Sequence, residues 1–436
     1  MQCQCLPRQL LGFLDLAFSK MSQGQAKEAE QLARQALALH LRLRGKEHLE
    51  TGWGMCALGM ALQAQGRYPE AAVHLREALA IFRNNSHGHR SYNFAFDLLL
   101  AVLQAQGNEK EVEALRRQKL ADTTRAVERT PADPETWLQR GLAHAGLQRH
   151  REAIADYEKG ISLLEQLPTF PSKREQRRQH AGAYNELANS HAALGKQTEA
   201  EQLYKKTLEL RKAVLGADDK DTLWTMHMLA HTYAALGRHA EAAKLGEETL
   251  ALQRAKLGSD HADTLWRMHD LANSCAALDR YAEAVKLYEE TLAPRKNKPG
   301  AFDTAQSMNN LAWLLATCPD AKVRDGGRAV ELAKKAVERA PEQGAYHSTL
   351  GAAHYRAAAW NEAVAALEKS AGLRNGGDSF DWFFLAMAHW QLGAKDKARE
   401  WYDKAVRWMD TNQPKNEELR RFRAEAAELL RVNEKK

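Results

Sequence analysis

One stretch of this chain is written twice. Asp221-Thr222-Leu223-Trp224 returns as Asp263-Thr264-Leu265-Trp266, and Leu229-Ala230 returns as Leu271-Ala272. The same step of 42 residues carries Leu187-Ala188 onto Leu229-Ala230. A fixed period of this size marks a stacked array, in which one unit cannot bury its apolar face alone and each leans on its neighbours. Stacking also removes the size limit on a single core, which 436 residues would exceed.

Each unit has two parts. The first carries a large residue followed by a small one, as in Leu58-Gly59, Leu187-Ala188, Leu311-Ala312 and Leu350-Gly351. A glycine-containing turn such as Gln65-Gly66-Arg67 or Leu236-Gly237-Arg238 follows. The second part opens on an acidic-Ala pair with apolar residues at helical spacing, as in Glu241-Ala242 with Leu245 and Leu250. Small residues let paired helices approach while large ones fill the grooves between them. The second-helix anchor falls at Ala29, Ala71, Val112, Ala153, Ala200, Ala242, Ala284, Ala329, Ala363 and Ala398, giving about ten hairpins. Polar stretches such as Leu215-Gly216-Ala217-Asp218-Asp219 close the longer units, and Asp221-Thr222 and Asp263-Thr264 are expected to cap the helices that follow.

Two steps are long. Between Ala153 and Ala200 lie Leu167-Pro168-Thr169-Phe170-Pro171 and the basic residues Lys173, Arg174, Arg177 and Arg178, which read as a break between two stacks. Before Ala329, Cys318-Pro319-Asp320 and Asp325-Gly326-Gly327 separate the helices of one pair. The expected division is an N-terminal stack over 8–167, a linker over 168–180, 42-residue repeats over 181–300, further repeats over 301–416, and a capping helix with its tail over 417–436. The stretch from Glu417 is amphipathic and reads as a solubilising cap on an open end.

The composition, 44% hydrophobic and 27% charged with 11 prolines, suits helices rather than disorder. A net charge of +6 from 62 basic and 56 acidic residues is too dispersed for a nucleic-acid stripe, so no nucleic-acid partner is expected. Cys3, Cys5, Cys56, Cys275 and Cys318 are odd in number and scattered, as in a reduced cytoplasmic protein. Residues 10–18 are apolar enough to suggest a signal segment, but Asp15 interrupts them and no small-residue cleavage site follows; they fit a repeat helix. No run is long enough to span a bilayer, so no membrane association is expected.

These residues resemble the tetratricopeptide repeat family over nearly the whole chain. Residues 341–374 resemble the 34-residue form, and 182–292 are similar to the 42-residue form of kinesin light chains. The segments Asn310-Leu311-Ala312-Trp313-Leu314-Leu315-Ala316-Thr317 and Asp378-Ser379-Phe380-Asp381-Trp382-Phe383-Phe384 resemble the repeat region of planctomycete bacterial proteins, many of them serine/threonine protein kinases. The resemblance implies an all-α, right-handed superhelical solenoid with a C-terminal capping helix, and a bacterial scaffold or regulatory signalling protein that binds a protein or peptide. A kinase activity is not expected. The Gly-rich phosphate loop, the His-Arg-Asp loop and the Asp-Phe-Gly metal ligand are all missing, and Ala340-Pro341-Glu342 sits where proline ends a repeat helix. The alternative reading is the sensor or substrate-docking region of such a kinase, with the catalytic domain encoded upstream.

In proteins of this kind the first helices line the concave face. Counted from the large-small pair, that face would present Asn185 and Asn189, then Trp224, His227 and His231, then Trp266, His269 and Asn273, with Asn309 and Trp313 continuing the row. Amides pair with both backbone donors and acceptors, and indoles supply stacking area, which suits an extended peptide. The competing reading packs the tryptophans between repeats and leaves the Asn and His residues merely to solvate the groove. His227 and His231 have a zinc-compatible spacing, but Met228 stands where a metalloprotease needs Glu and no third ligand is evident, so neither metal nor other cofactor is expected. His191 and Cys275 fall at packing positions. Phe380, Trp382, Phe383, Phe384, Trp390, Trp401 and Trp408 read as the closure of the stack, with a docking patch as the alternative. No nucleophile–base set is expected, because helical hairpins rich in Ala and Leu leave no loop scaffold for one. Glu247-Glu248 and Glu289-Glu290 serve solubility.

Overall fold

The computed structural model describes residues 6–84, 89–167, 173–293 and 304–432. Among them the only regular structure is helical, in twenty-one helices. The expectations for Cys3, Cys5 and Leu167-Pro168-Thr169-Phe170-Pro171 lie largely outside these residues. The chain divides into two compact units, Met1–Gln166 and Leu167–Lys436.

Unit 1 holds four hairpins: α1 (Leu6–Ser22) with α2 (Ala26–Arg44), α3 (Leu49–Ala64) with α4 (Tyr68–Asn84), α5 (His89–Ala105) with α6 (Glu109–Arg129), and α7 (Pro134–Gly146) with α8 (His150–Gln166). Unit 2 holds six. They are α9 (Lys173–Ala193) with α10 (Gln197–Leu215), α11 (Lys220–Ala235) with α12 (His239–Leu257), and α13 (Ala262–Ala277) with α14 (Tyr281–Leu292). The series continues with α15 (Thr304–Thr317) and α16 (Gly326–Arg339), α17 (Gly344–Arg356) and α18 (Trp360–Leu373), and α19 (Ser379–Gln391) and α20 (Lys395–Asn412). A last helix, α21, spans Glu417–Leu430.

All ten anchors expected from the sequence are buried in second helices, eight of the nine alanines among them without accessible surface. The small residues of the first helices serve close approach. At Gly59 a β-carbon would lie 2.7 Å from Leu75 Cγ, inside contact distance. Nine of the ten hairpins turn through one residue in the left-handed region, where an L side chain crowds its own backbone; the longer α15–α16 connection does not. Gly66 and Gly237 take it at φ +73°, while Asp279 and Ala358 adopt it at 59° and 58°.

The capping residues differ from expectation. Asp219 Oδ1 accepts from Asp221 N at 2.9 Å and His261 Nδ1 from Asp263 N at 3.2 Å, so the caps stand two residues earlier than Asp221 and Asp263. Thr222 and Thr264 point inward and are fully buried. The linker expected over 168–180 is also shorter on its C-terminal side. Lys173 to His180 form the first turns of α9, because this run of Lys, Arg, Gln and Glu holds neither Pro nor Gly.

Candidate interaction face of the first helices

The site is built on a period. Asn185, His227 and His269 stand 42 residues apart on α9, α11 and α13, and Asn189, His231 and Asn273 form a second row one helical turn on. Where each row faces depends on depth, and the depths differ.

The first row sinks inward. Asn185 is 3% exposed and His269 2% exposed, so neither is available as a surface contact. Asn185 Oδ1 accepts from Arg211 Nη1 at 3.4 Å, and the same guanidinium donates to Asp221 O at 2.7 Å and Thr225 Oγ1 at 2.6 Å. Arg211 thus ties α10 both to Asn185 of α9 and to the first turns of α11. His269 Nδ1 lies 2.8 Å from Ser307 Oγ, and its ring meets Tyr288 edge-on at 5.7 Å. Burial pushes its pKa down to about 4, so the imidazole is neutral around pH 7. His227, between these two, is half-buried, with Nδ1 3.4 Å from Asp270 Oδ2.

The second row is more open. Asn189 Oδ1 accepts from Tyr204 Oη at 2.6 Å, and Asn273 Oδ1 accepts from Tyr288 Oη at 2.5 Å and Asn310 Nδ2 at 3.0 Å. His231 and Asn273 are exposed. Trp224 is 51% exposed and its ring lies 5.3 Å from that of His227. Trp266 is half-buried against His269 at 6.0 Å. Asn309 is half-buried and donates to Asn310 Oδ1 at 3.3 Å.

Trp313, expected to continue the row, is covered by the chain itself. Its Nε1 donates to Glu418 Oε1 of α21 at 3.0 Å, and its ring packs edge-on against Phe380 and Phe422. Phe422 also meets Phe384 at 5.0 Å, and Glu425 makes a bidentate pair with Arg356 of α17. The capping helix therefore does more than finish the stack, because it lies across the first helices α15, α17 and α19. Burial raises the pKa of Glu418, against the lowering effect of its bonds to Trp313 and Thr317. A cavity of about 1150 Å³ remains between α21 and α13, α15 and α17, with Asn273, Tyr288, Asn310, Ser348 and Arg421 in its wall.

The aromatic cluster divides in two. Phe383 and Phe384 are fully buried, and Phe380 and Phe384 face α21. Trp382, Trp401 and Trp408 gather on the other side, with Lys404 Nζ 4.2 Å above the Trp382 ring. His191 and Cys275 are buried, as their packing positions imply. Arg174, Arg177 and Arg178 are exposed on α9.

The sequence reading missed Asn310, Arg267, Asp270 and Glu418. Asn310 adjoins a named position, and Arg267 and Asp270 lie within the duplicated block, but Glu418 acts only through a contact 105 residues away. Among the described residues no cluster of three His, Cys, Asp or Glu side chains could hold a metal, and no helix is long and apolar enough to cross a membrane.

Two models of the tetratricopeptide repeat match the chain, one over residues 9–84, 179–255 and 229–297, the other over 134–164 and 382–409, together more than half of its length. The chain belongs to the tetratricopeptide repeat family. Such arrays are interaction modules that mediate protein–protein contacts and are not catalytic folds.

Among solved structures, a kinesin light chain protein of Podospora anserina with nearly identical repeats is 21% identical, the match covering 67% of this chain and 96% of that one at a TM-score of 0.25. BtubC from P. vanneervenii is 15% identical over 60% of this chain and 89% of its own, with a TM-score of 0.36. MamA is 16% identical over 43% and 92%, with a TM-score of 0.32. No curated protein sequence matches the chain.

Proposed function

We propose that the chain is a scaffold or regulatory protein that captures a segment of a protein partner along its first helices, between α9 and α13. The observation that carries this reading is the exposed set of Trp224 and His231 on α11 and Asn273 on α13. Trp224 leaves half its surface in water, and tryptophan is among the residues enriched at protein interfaces. Around that row the wall is prepared, with Asn189 and Asn273 already fixed by tyrosine hydroxyls and with less rotamer freedom to lose on binding. Buried Cys56, Cys275 and Cys318 are unpaired thiols, which supports a reducing compartment such as the cytoplasm.

The test is to pan a random-peptide library against the full chain and measure the selected peptides on a Trp224→Ala, His231→Ala variant of matched helicity. Loss of at least tenfold in affinity supports the face, and undiminished binding overturns it.

A further inference from the structure

The three hairpins of the 42-residue block are nearly alike, and one of them lacks a ring. Four residues after the anchor, α10 carries Tyr204 and α14 carries Tyr288, while α12 carries Gly246. The same register holds Tyr157 and Tyr402 in other hairpins. The other small residues there, Ala33 and Ala333, are fully buried, so their space is closed. Gly246 is half-buried, and beside it lies a cleft of about 310 Å³. For scale, a dry cavity of ~150 Å³ already admits benzene.

The flanking hairpins show what the cleft is shaped around. Tyr288 sets its ring edge-on to His269 at 5.7 Å and donates its hydroxyl to Asn273 at 2.5 Å. Tyr204 donates to Asn189 at 2.6 Å. The corresponding groups around Gly246 are His227 and His231, one 42-residue step before His269 and Asn273, and both line the cleft. The ring neighbour and an acceptor are both present without the phenol. Arg267, 6% exposed with an unpartnered Nε, lies in the same wall, as does Asp270. A cleft with these convergent polar groups is not merely a packing defect.

We propose that this cleft receives a tyrosine side chain of the partner segment, which supplies the ring that Gly246 omits; this rests on the proposed capture of a segment along the first helices. The incoming ring packs on His227, its hydroxyl donates to the His231 imidazole, and exposed Trp224 flanks its approach. The Asp270 carboxylate in the wall is already paired with Arg267 at 3.5 Å, so the polar groups left to the ligand suit a neutral phenol.

The test uses p-cresol, the tyrosine side chain in isolation, titrated into the full chain by calorimetry beside toluene. Saturable binding with a dissociation constant on the order of 0.1–1 mM is expected for so small a ligand, with toluene about tenfold weaker. Gly246→Tyr fills the cleft and abolishes both. His231→Ala keeps the cleft and removes the preference for p-cresol. The second variant decides the matter should the first misfold, since Leu271 Cδ1 sits 3.3 Å from a β-carbon at 246.

No saturable p-cresol binding, unchanged binding in folded Gly246→Tyr, or an unchanged preference in His231→Ala overturns the proposal. Selected peptides that keep full affinity when their tyrosines become alanine also overturn it, while leaving segment capture standing. If p-cresol binds and no peptide does, capture falls and the cleft remains a phenol site.

Discussion

Trp313 and Glu418, 105 residues apart, share a hydrogen bond of 3.0 Å from the indole nitrogen to the carboxylate. That bond, with Phe422 beneath it, fixes the last helix of the chain across the first helices of the C-terminal hairpins. The groups that make it are partly or wholly withdrawn from water, so breaking the contact exposes aromatic surface and leaves polar atoms unpaired.

Phe422 is the wedge of this contact, 2% exposed and touching Trp313, Phe380 and Phe384. Phe422→Ala is expected to cost about 3–5 kcal/mol, the range for deleting a buried aromatic ring. The loss falls on the C-terminal hairpins, so a first urea transition at lower concentration, with a red shift in tryptophan emission, checks it.

Arg356 joins α17 to α21 through Glu425 and also donates from Nε to Ala316 O at 2.9 Å. A double-mutant cycle of Arg356→Ala and Glu425→Ala is expected to give a coupling of about 1 kcal/mol that falls as salt rises. Arg356→Ala alone costs more than Glu425→Ala, because it also strands the Ala316 carbonyl. Chemical denaturation at two salt concentrations measures both.

His269 supplies a pH signature. Its pKa falls from the ordinary 6.5 to about 4 on folding, so the folded state resists protonation. Its neutral form contributes fully above pH 6.5, and stability is lost as pH falls from there to about 4, by up to about 3 kcal/mol. Neighbouring Asp270 is shifted upward by burial and acts in the opposite direction, so the comparison must be with His269→Gln. The wild type is expected to lose stability relative to that variant over this window, read by thermal unfolding at stepped pH.

Glycines separate by their surroundings. Gly59→Ala places a β-carbon 2.7 Å from the buried Leu75 side chain and is expected to cost about 1–3 kcal/mol. Gly182→Ala, within α9 with open space around it, is expected to stabilise by about 0.5–1 kcal/mol. Denaturation midpoints of the two variants test the contrast.

The array was legible because its information is local. Every anchor from Ala29 to Ala398 sits in a short pattern of size and spacing, and each fell in a buried second helix. The candidate face was legible only in direction. A 42-residue period assigns Asn185, His227 and His269 to one stripe of a helix, but whether that stripe meets water depends on its neighbours. Arg211 closes over Asn185 from α10, and Ser307 reaches His269 from α15, while His227 stays half-open because Gly246 puts no ring beside it. Helix α21 was legible as a helix and not as a lid, since its docking rests on contacts with residues 69 to 105 positions away. The capping residues failed for a smaller reason. Asp219 and Asp221 carry equally good carboxylate acceptors for the N–H groups of a helix start, and the inward turn of Thr222 chooses between them.

The seat of α21 sets a rule of competition. A tether of four residues, Gln413 to Asn416, links it to α20, and a segment so attached faces its site at an effective concentration in the millimolar range. A foreign helix that reaches for Trp313 must displace a resident that never diffuses away. The face proposed for a partner lies upstream, over α9 to α13. The array is in this sense a ruler with one end already taken, and the length left unmarked limits what it can measure.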